Sequence, residues 1–217
     1  MSAEARLREA VCTFGRSIFD RGLTAGSSGN ISVRLPDDCG GGWLMTPTNA
    51  SLGRLDPARL SKIAADGRLL SGDAPTREQP LHAAVYGARP QANAIVHLHS
   101  HYSVAVSVLR DIDPQRVLPP LTAYYVMRVG RLPLVPYFRP GDPRVADVIG
   151  ELAGDAAAVL LANHGPVVSA DSLEGAVYAT EELEETARLF LTLYGKPVRT
   201  LDDGQIEELR QVFGARW

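Results

Sequence analysis

Two apolar runs that each end in histidine constrain this chain more than any other feature. Ala94-Ile95-Val96 leads into His97-Leu98-His99, and the run from Ala157 to Ala162 leads into Asn163-His164-Gly165. Runs this short and this apolar read as buried interior strands. Side chains two apart on a strand share a face, so the His97 and His99 imidazoles can reach a single ion. His164 follows the second run and precedes a glycine, where side chains project into a crevice. Three histidines from two strand ends form a facial set with coordination positions left open, as catalytic zinc sites require. Each half also has a plainer reading. A lone HxH can be a polar core pair, and His164 by itself reads better as a turn residue bonded to backbone.

The segments around those strands alternate strand and helix. Leu7, Val11, Phe14 and Ile18 recur at helical spacing, predicting an amphipathic helix over 3–20 that ends at Gly22. Ile31 to Leu35 and Trp43 to Thr46 read as strands around a turn cluster, which predicts a hairpin. Asp56-Pro57 opens a helix, and Asp66-Gly67 makes a tight turn before Leu69-Leu70. Glu78 to Tyr86 fits a helix with Pro80 in its first turn and Gly87 at its close. The proline-rich Arg131 to Phe138 suits an edge strand, Arg139-Pro140-Gly141-Asp142 a type II turn, and Val145 to Leu152 a helix. Asp171, with Glu174 as capping-box partner, starts a long helix that Gly195 and Pro197 stop. Its acidic run, Glu181 to Glu185, reads as a solvated face with Glu184 paired to Arg188. The class is α/β, and 217 residues suit one domain over 1–217.

Composition narrows the function. A net charge of -3 argues against an extended nucleic-acid footprint, while leaving room for a small anionic substrate. No apolar run approaches the roughly 20 residues that span a bilayer. Cys12 and Cys39 form no CxxC pair and read as reduced thiols. The first ten residues carry acids and lack an apolar signal core, so the expected compartment is the cytoplasm.

Several other residues have chemistry to offer. Glu78, at a helix start, is either a favourable first-turn charge or a metal-adjacent acid–base. Gly26 to Asn30 and Thr46-Pro47-Thr48-Asn49 supply backbone N–H groups and hydroxyls suited to phosphate. Arg77 and Arg139 are local cations for phosphate or carboxylate. Tyr124 and Tyr125 are packing residues or proton donors. His101 reads as a residue past the strand end, and His82 as a packed or hydrogen-bonded core histidine.

Taken in order, five motifs resemble the class II aldolase/adducin family from about Leu7 to Gly195. They are Gly26 to Ser32, Thr46-Pro47-Thr48, Pro75-Thr76-Arg77-Glu78, Ile95 to His99 and Leu161 to Gly165. The resemblance implies a three-layer αβα fold around one mixed, largely antiparallel sheet. It implies that His97, His99 and His164 bind one divalent cation, zinc first and manganese as an option. Glu78 is then the acid–base residue and can also contact the metal. Asn30, Thr46, Thr48 and Thr76 surround a substrate phosphate, and Tyr124 matches a proton-donor tyrosine. Family members are often homotetramers with sites at subunit contacts, so a homo-oligomer is expected.

Further stretches are similar to a subgroup that decarboxylates 3-oxo-tetronate 4-phosphate, a small phosphorylated sugar acid. These are Thr46 to Gly53, Leu121 to Tyr124, Val129 to Leu134, Tyr137 to Asp142 and Leu160 to Ser169. The reaction implied gives dihydroxyacetone phosphate and carbon dioxide through a metal-stabilised enediolate. Two positions depart from pattern. Arg77 stands where the aldolases have a small hydroxyl residue and the decarboxylases a lysine, and Ala123 replaces an expected proline. The alternatives are a fuculose-phosphate-type aldolase and a sugar-phosphate 4-epimerase, which should show aspartate at position 78. A metal-free adducin-like interaction domain would lack the histidine set.

Overall fold

A computed structural model describes residues 2–139 and 141–217. The chain opens with α1 (Ala3–Asp20), whose buried Val11, Gly15 and Ile18 lie on the face that periodicity marks. Then β1 (Asn30–Arg34) and β2 (Trp43–Met45) pair antiparallel as the expected hairpin. Two short strands the sequence pattern barely signals, β3 (Ser61–Ile63) and β4 (Leu69–Ser71), extend that edge around the Asp66-Gly67 turn. Asp56-Pro57 opens only a single 3-10 turn, Pro57–Arg59, where a helix was expected.

Next come α2 (Gln79–Ala88), which continues through Gly87, and β5 (Ala94–His97). The strand ends at His97, two residues earlier than the apolar run suggests. The helices α3 (His101–Ser107) and α4 (Ala123–Arg128) follow, then β6 (Leu134–Val135) and α5 (Arg144–Ala153). The last elements are β7 (Ala158–Leu161), β8 (Gly165–Ala170), α6 (Leu173–Leu193) and α7 (Asp203–Phe213). At the expected type II turn, Asp142 N–H donates to the Arg139 carbonyl at 3.0 Å and Gly141 has φ +78. Pro140 itself lies outside the described residues.

All eight strands form one sheet in the order β4-β3-β2-β1-β5-β8-β7-β6. Among the described residues only the β6–β7 pair is parallel, so the sheet is mixed and largely antiparallel, as expected. Helices cover both faces. On one, α1 and α6 pack on Ile31, Val33, Ala94, Val96 and Leu98. On the other, Trp43, Met45, Ile63, Ile95 and Val167 meet α2 and α5. Alternate residues of β1 and β5 thus face opposite layers, and a one-residue slip would exchange them. Asn30 and His97 are direct cross-strand partners, which places both side chains in the α2 layer.

Two expectations about α6 fail. Ser172, not Asp171, is its N-cap, accepting from the Gly175 N–H at 3.1 Å. The acidic run is not wholly solvated either. Glu184 is 4% exposed and accepts from the Tyr102 and Ser103 N–H groups at 2.7 and 2.9 Å, and from the Ser103 hydroxyl at 2.7 Å. A buried carboxylate here satisfies the N-terminal donors of α3, a demand no local pattern in α6 can reveal. Arg188 pairs with Glu185.

Candidate active site

The site forms where β5, the β7–β8 turn and the start of α2 converge. His97 closes β5, and His99 follows it on an extended segment before α3. Leu161 and Gly165 are paired, so Ala162-Asn163-His164 is the whole connection between β7 and β8. Asn163 takes φ +56, a left-handed conformation that asparagine tolerates, and the tight turn directs His164 toward β5. Gly165 lies against the Leu98 carbonyl: a Cβ there would sit 2.2 Å from that oxygen. The two histidine-bearing segments can approach only because the residue is glycine.

The three Nε2 atoms point at one another. His164 Nε2 is 2.9 Å from His99 Nε2 and 3.3 Å from His97 Nε2. Glu78, the N-cap residue of α2, adds its carboxylate, with Oε2 3.4 Å from His97 Nε2 and Oε1 3.3 Å from His164 Nε2. One ligand atom from each of the four residues lies within 4.8 Å of all the others. Ligands at about 2.0–2.1 Å from a tetrahedral cation stand about 3.4 Å apart, close to these four separations of 2.9, 3.3, 3.3 and 3.4 Å.

Protonation supports the fit. His97 Nδ1 donates to the Pro166 carbonyl at 2.8 Å, so in the neutral ring the lone pair is on Nε2, facing the cluster. Burial lowers the His99 and His164 pKa values, the latter to about 4, and the neighbouring His97 charge adds to both effects. Their lone pairs are therefore free at neutral pH. His97 itself is opposed by burial, but the Glu78 charge and hydrogen bond outweigh that and raise its pKa. Burial likewise works to raise the Glu78 carboxyl. The charge and hydrogen bond of His97, with help from His164 and the Asn30 amide, hold it well below the usual carboxylate range.

A crevice of about 200 Å³ opens from this cluster. Its lining includes Ser27, Ser28, Asn30, Thr48, Asn49 and Thr76, with Arg77 beside Glu78. The Thr48 N–H donates to the Ala74 carbonyl at 2.9 Å, pinning the two hydroxyl-bearing loops side by side. Thr46 is not part of the crevice wall. It is 1% exposed, and its hydroxyl accepts from the Ile31 N–H at 3.1 Å, a structural bond between β2 and β1. A second cavity beside Glu78 and His164 is lined by apolar Leu81, Phe138, Val145 and Leu161, together with Arg77 and Arg139.

Tyr124 is not brought to the cluster within this chain. It is 59% exposed on α4, with the Arg128 guanidinium over its ring, and lines neither cavity. Tyr125 is buried, a packing residue. His101 is exposed at the start of α3.

His82 is fully buried and hydrogen-bonded to Ser32 and Asn30, as the core reading expects. Its tie to the site escapes a reading by motif. The signal available was spacing: His82 is four residues after Glu78 on α2, and Ser32 two after Asn30 on β1.

Residues 9–191 match the family model described as the class II aldolase and adducin N-terminal domain. The chain is 52% identical to the 3-oxo-tetronate 4-phosphate decarboxylase of Escherichia coli K12, over 95% of this chain and 96% of that protein. It is 49% identical to the Cupriavidus necator protein of that name, over the full length of both. Among solved structures, it superposes on the crystal structure of YgbL from Escherichia coli with a TM-score of 0.93 and 51% identity. That match covers 96% of this chain and 100% of the other.

Proposed function

Because this chain belongs to the class II aldolase and adducin family, we propose that it is a cation-dependent carboxy-lyase converting 3-oxo-tetronate 4-phosphate to dihydroxyacetone phosphate and carbon dioxide. The observation that carries the reading is the convergence of three Nε2 atoms and the Glu78 carboxylate at the mouth of the crevice. About half identity over the full length to proteins of that name supports the substrate. His97, His99 and His164, with Glu78, would hold one divalent cation, and the all-nitrogen and carboxylate donor set favours zinc, with manganese as an option. When bound, such an ion supplies Lewis acidity to the electron pair that the departing carboxylate leaves behind.

The chain's own residues do the rest. The Gly26–Asn30 loop, Thr48 and Thr76 bind the phosphate, and Arg77 adds charge. Arg139 stands as a second anion contact. The apolar wall of Leu81, Phe138 and Leu161 keeps water from the reacting carbons. As the C1–C2 bond breaks, its electrons move toward the 3-oxo group and C2 gains a proton. Each turnover takes up one proton from solvent, and Glu78, ionised at rest, relays it onto C2.

Tyr124, exposed and remote in the single chain, would serve a site only across a subunit contact. It therefore belongs with a homo-oligomeric reading, tetrameric by family likeness. The whole of 1–217 acts as one domain, a reading supported by its single eight-stranded sheet. No helix among the described residues is long and apolar enough to cross a membrane, in keeping with a cytoplasmic enzyme.

The test supplies 3-oxo-tetronate 4-phosphate and follows dihydroxyacetone phosphate and carbon dioxide, with and without chelator. Both products should form, stop with chelator and resume when the metal is restored. No decarboxylation, with condensation of dihydroxyacetone phosphate onto an aldehyde instead, would overturn the decarboxylase in favour of the aldolase.

A further inference from the structure

Behind Glu78 runs a buried hydrogen-bonded chain that the proposed reaction does not use. Tyr86 Oη lies 2.9 Å from Ser32 Oγ, and Ser32 Oγ lies 2.7 Å from His82 Nδ1. His82 Nε2 is 2.5 Å from Asn30 Oδ1, and Asn30 Nδ2 donates to Glu78 Oε2 at 2.6 Å. Ser32 and His82 are fully buried, while Asn30 and Tyr86 are 4% and 5% exposed. Asn30 and Ser32 share a face of β1, and Glu78, His82 and Tyr86 recur every four residues along α2. Strand face meets helix face, so the chain is a product of two periodicities.

Its polarity is fixed by what each atom can do. A carboxylate oxygen only accepts, so Asn30 turns its amino group toward Glu78 and its carbonyl oxygen toward His82. An amide oxygen also only accepts, so His82 carries a proton on Nε2. Burial disfavours charge on this ring and lowers its pKa to about 3, with the charge on His97 adding to the effect. A neutral ring has a single N–H. Nδ1 is then an acceptor for the Ser32 hydroxyl, which in turn accepts from Tyr86. The reverse polarity would set the Asn30 oxygen against a Glu78 oxygen, with lone pairs opposed at 2.6 Å.

The geometry points to His82 as a positioning residue: its Nε2–H locks the Asn30 amide in the orientation that donates to Glu78 Oε2 and so sets where that carboxylate sits. The inference rests on the reading of Glu78 as the proton-handling group. It also revises the role of Asn30. With Oδ1 held by His82 and one N–H on Glu78, Asn30 serves the carboxylate first, and its remaining N–H already lies 3.4 Å from the Thr76 hydroxyl. Loss of His82 should accordingly appear in kcat and leave KM, which the phosphate contacts dominate, nearly alone.

The full-length, metal-loaded enzyme is compared as wild type, His82→Leu, His82→Gln and Ser32→Ala. His82→Leu should lower kcat about 10–100-fold, with KM changed by less than about 2-fold. His82→Gln, whose amide N–H can take the place of Nε2–H, should recover most of kcat. Imidazole ¹⁵N spectra of the metal-free wild type should show His82 as the neutral Nε2–H tautomer, and Ser32→Ala, which leaves the Asn30 oxygen in place, should keep that tautomer. The spectra keep the test decisive even if His82→Leu does not fold. An Nδ1–H tautomer in the wild type, a KM-only effect, or equal loss in His82→Leu and His82→Gln would overturn the positioning role. Wild-type protein inert toward the substrate, yet showing the Nε2–H tautomer, would instead count against the proposed reaction alone.

Discussion

Replacing Gly165 by alanine should damage the metal site without touching any ligand. A Cβ at this position would lie 2.2 Å from the Leu98 carbonyl oxygen and 3.4 Å from the His99 Cα. Carbon and oxygen in weak contact settle at about 3.3 Å, so β8 and the Leu98-His99 segment must part by about 1 Å. The Leu98 N–H to Pro166 carbonyl bond, already 3.3 Å, would be lost with that movement. Overpacking against backbone costs about 1–3 kcal/mol and a lost backbone hydrogen bond about 1 kcal/mol, giving about 2–4 kcal/mol in all.

The same displacement separates His99 from His164, whose Nε2 atoms now stand 2.9 Å apart. Metal–ligand distances tolerate about 0.2 Å, so one histidine drops out of reach. Zinc affinity, measured by competition with a chromophoric chelator, should fall about 10–100-fold. Urea unfolding of the metal-free protein should report the stability loss separately. Wild-type zinc affinity in a variant that shows the expected destabilisation would refute the claim that this close approach is what sets the site.

Other substitutions separate readings that sequence leaves open. Glu184→Ala should destabilise the protein by about 3 kcal/mol in urea, because three donors at the start of α3 lose their acceptor; a solvated glutamate would show almost no change. Thr48→Val should raise KM, whereas Thr46→Val should leave KM unchanged and cost about 1–3 kcal/mol of stability by orphaning the Ile31 N–H. Arg77→Ala should raise KM for the phosphorylated substrate and make it less sensitive to salt, as steady-state assays at two ionic strengths would show. For pH, His82 is neutral when folded down to about 3 but titrates near 6.5 when unfolded, so the unfolded chain binds more protons between those values and stability falls as pH drops below 6.5. Between pH 6.5 and 5 this amounts to about 2 kcal/mol, read as the wild-type change in metal-free urea stability minus that of His82→Gln, which removes opposing contributions from the other histidines.

What the sequence made legible follows from where each physical demand resides. The His97–His99 pair and the placement of His164 after an apolar run are local facts, and two-residue periodicity with a tight turn suffices to bring the three rings together. The hairpin, α1, α2 and α5 were likewise set by patterns within one segment. Thr46 and Glu184 went the other way because their partners lie in other segments: the Ile31 N–H on a neighbouring strand, and the N-terminus of α3 some eighty residues upstream of Glu184. The strand β8 was hidden because Gly165 and Pro166 argue against a strand until β5 and β7 flank it, and α7 because Ile206 is its one buried side chain. Tyr124 is a sharper case. Its exposure on α4 is unremarkable for one chain and makes sense as catalysis only if a second copy completes the site. On the proposed homo-oligomeric reading, a substitution that separates the copies should reduce turnover as Tyr124→Phe does, while zinc binding by His97, His99 and His164, all supplied by one chain, persists.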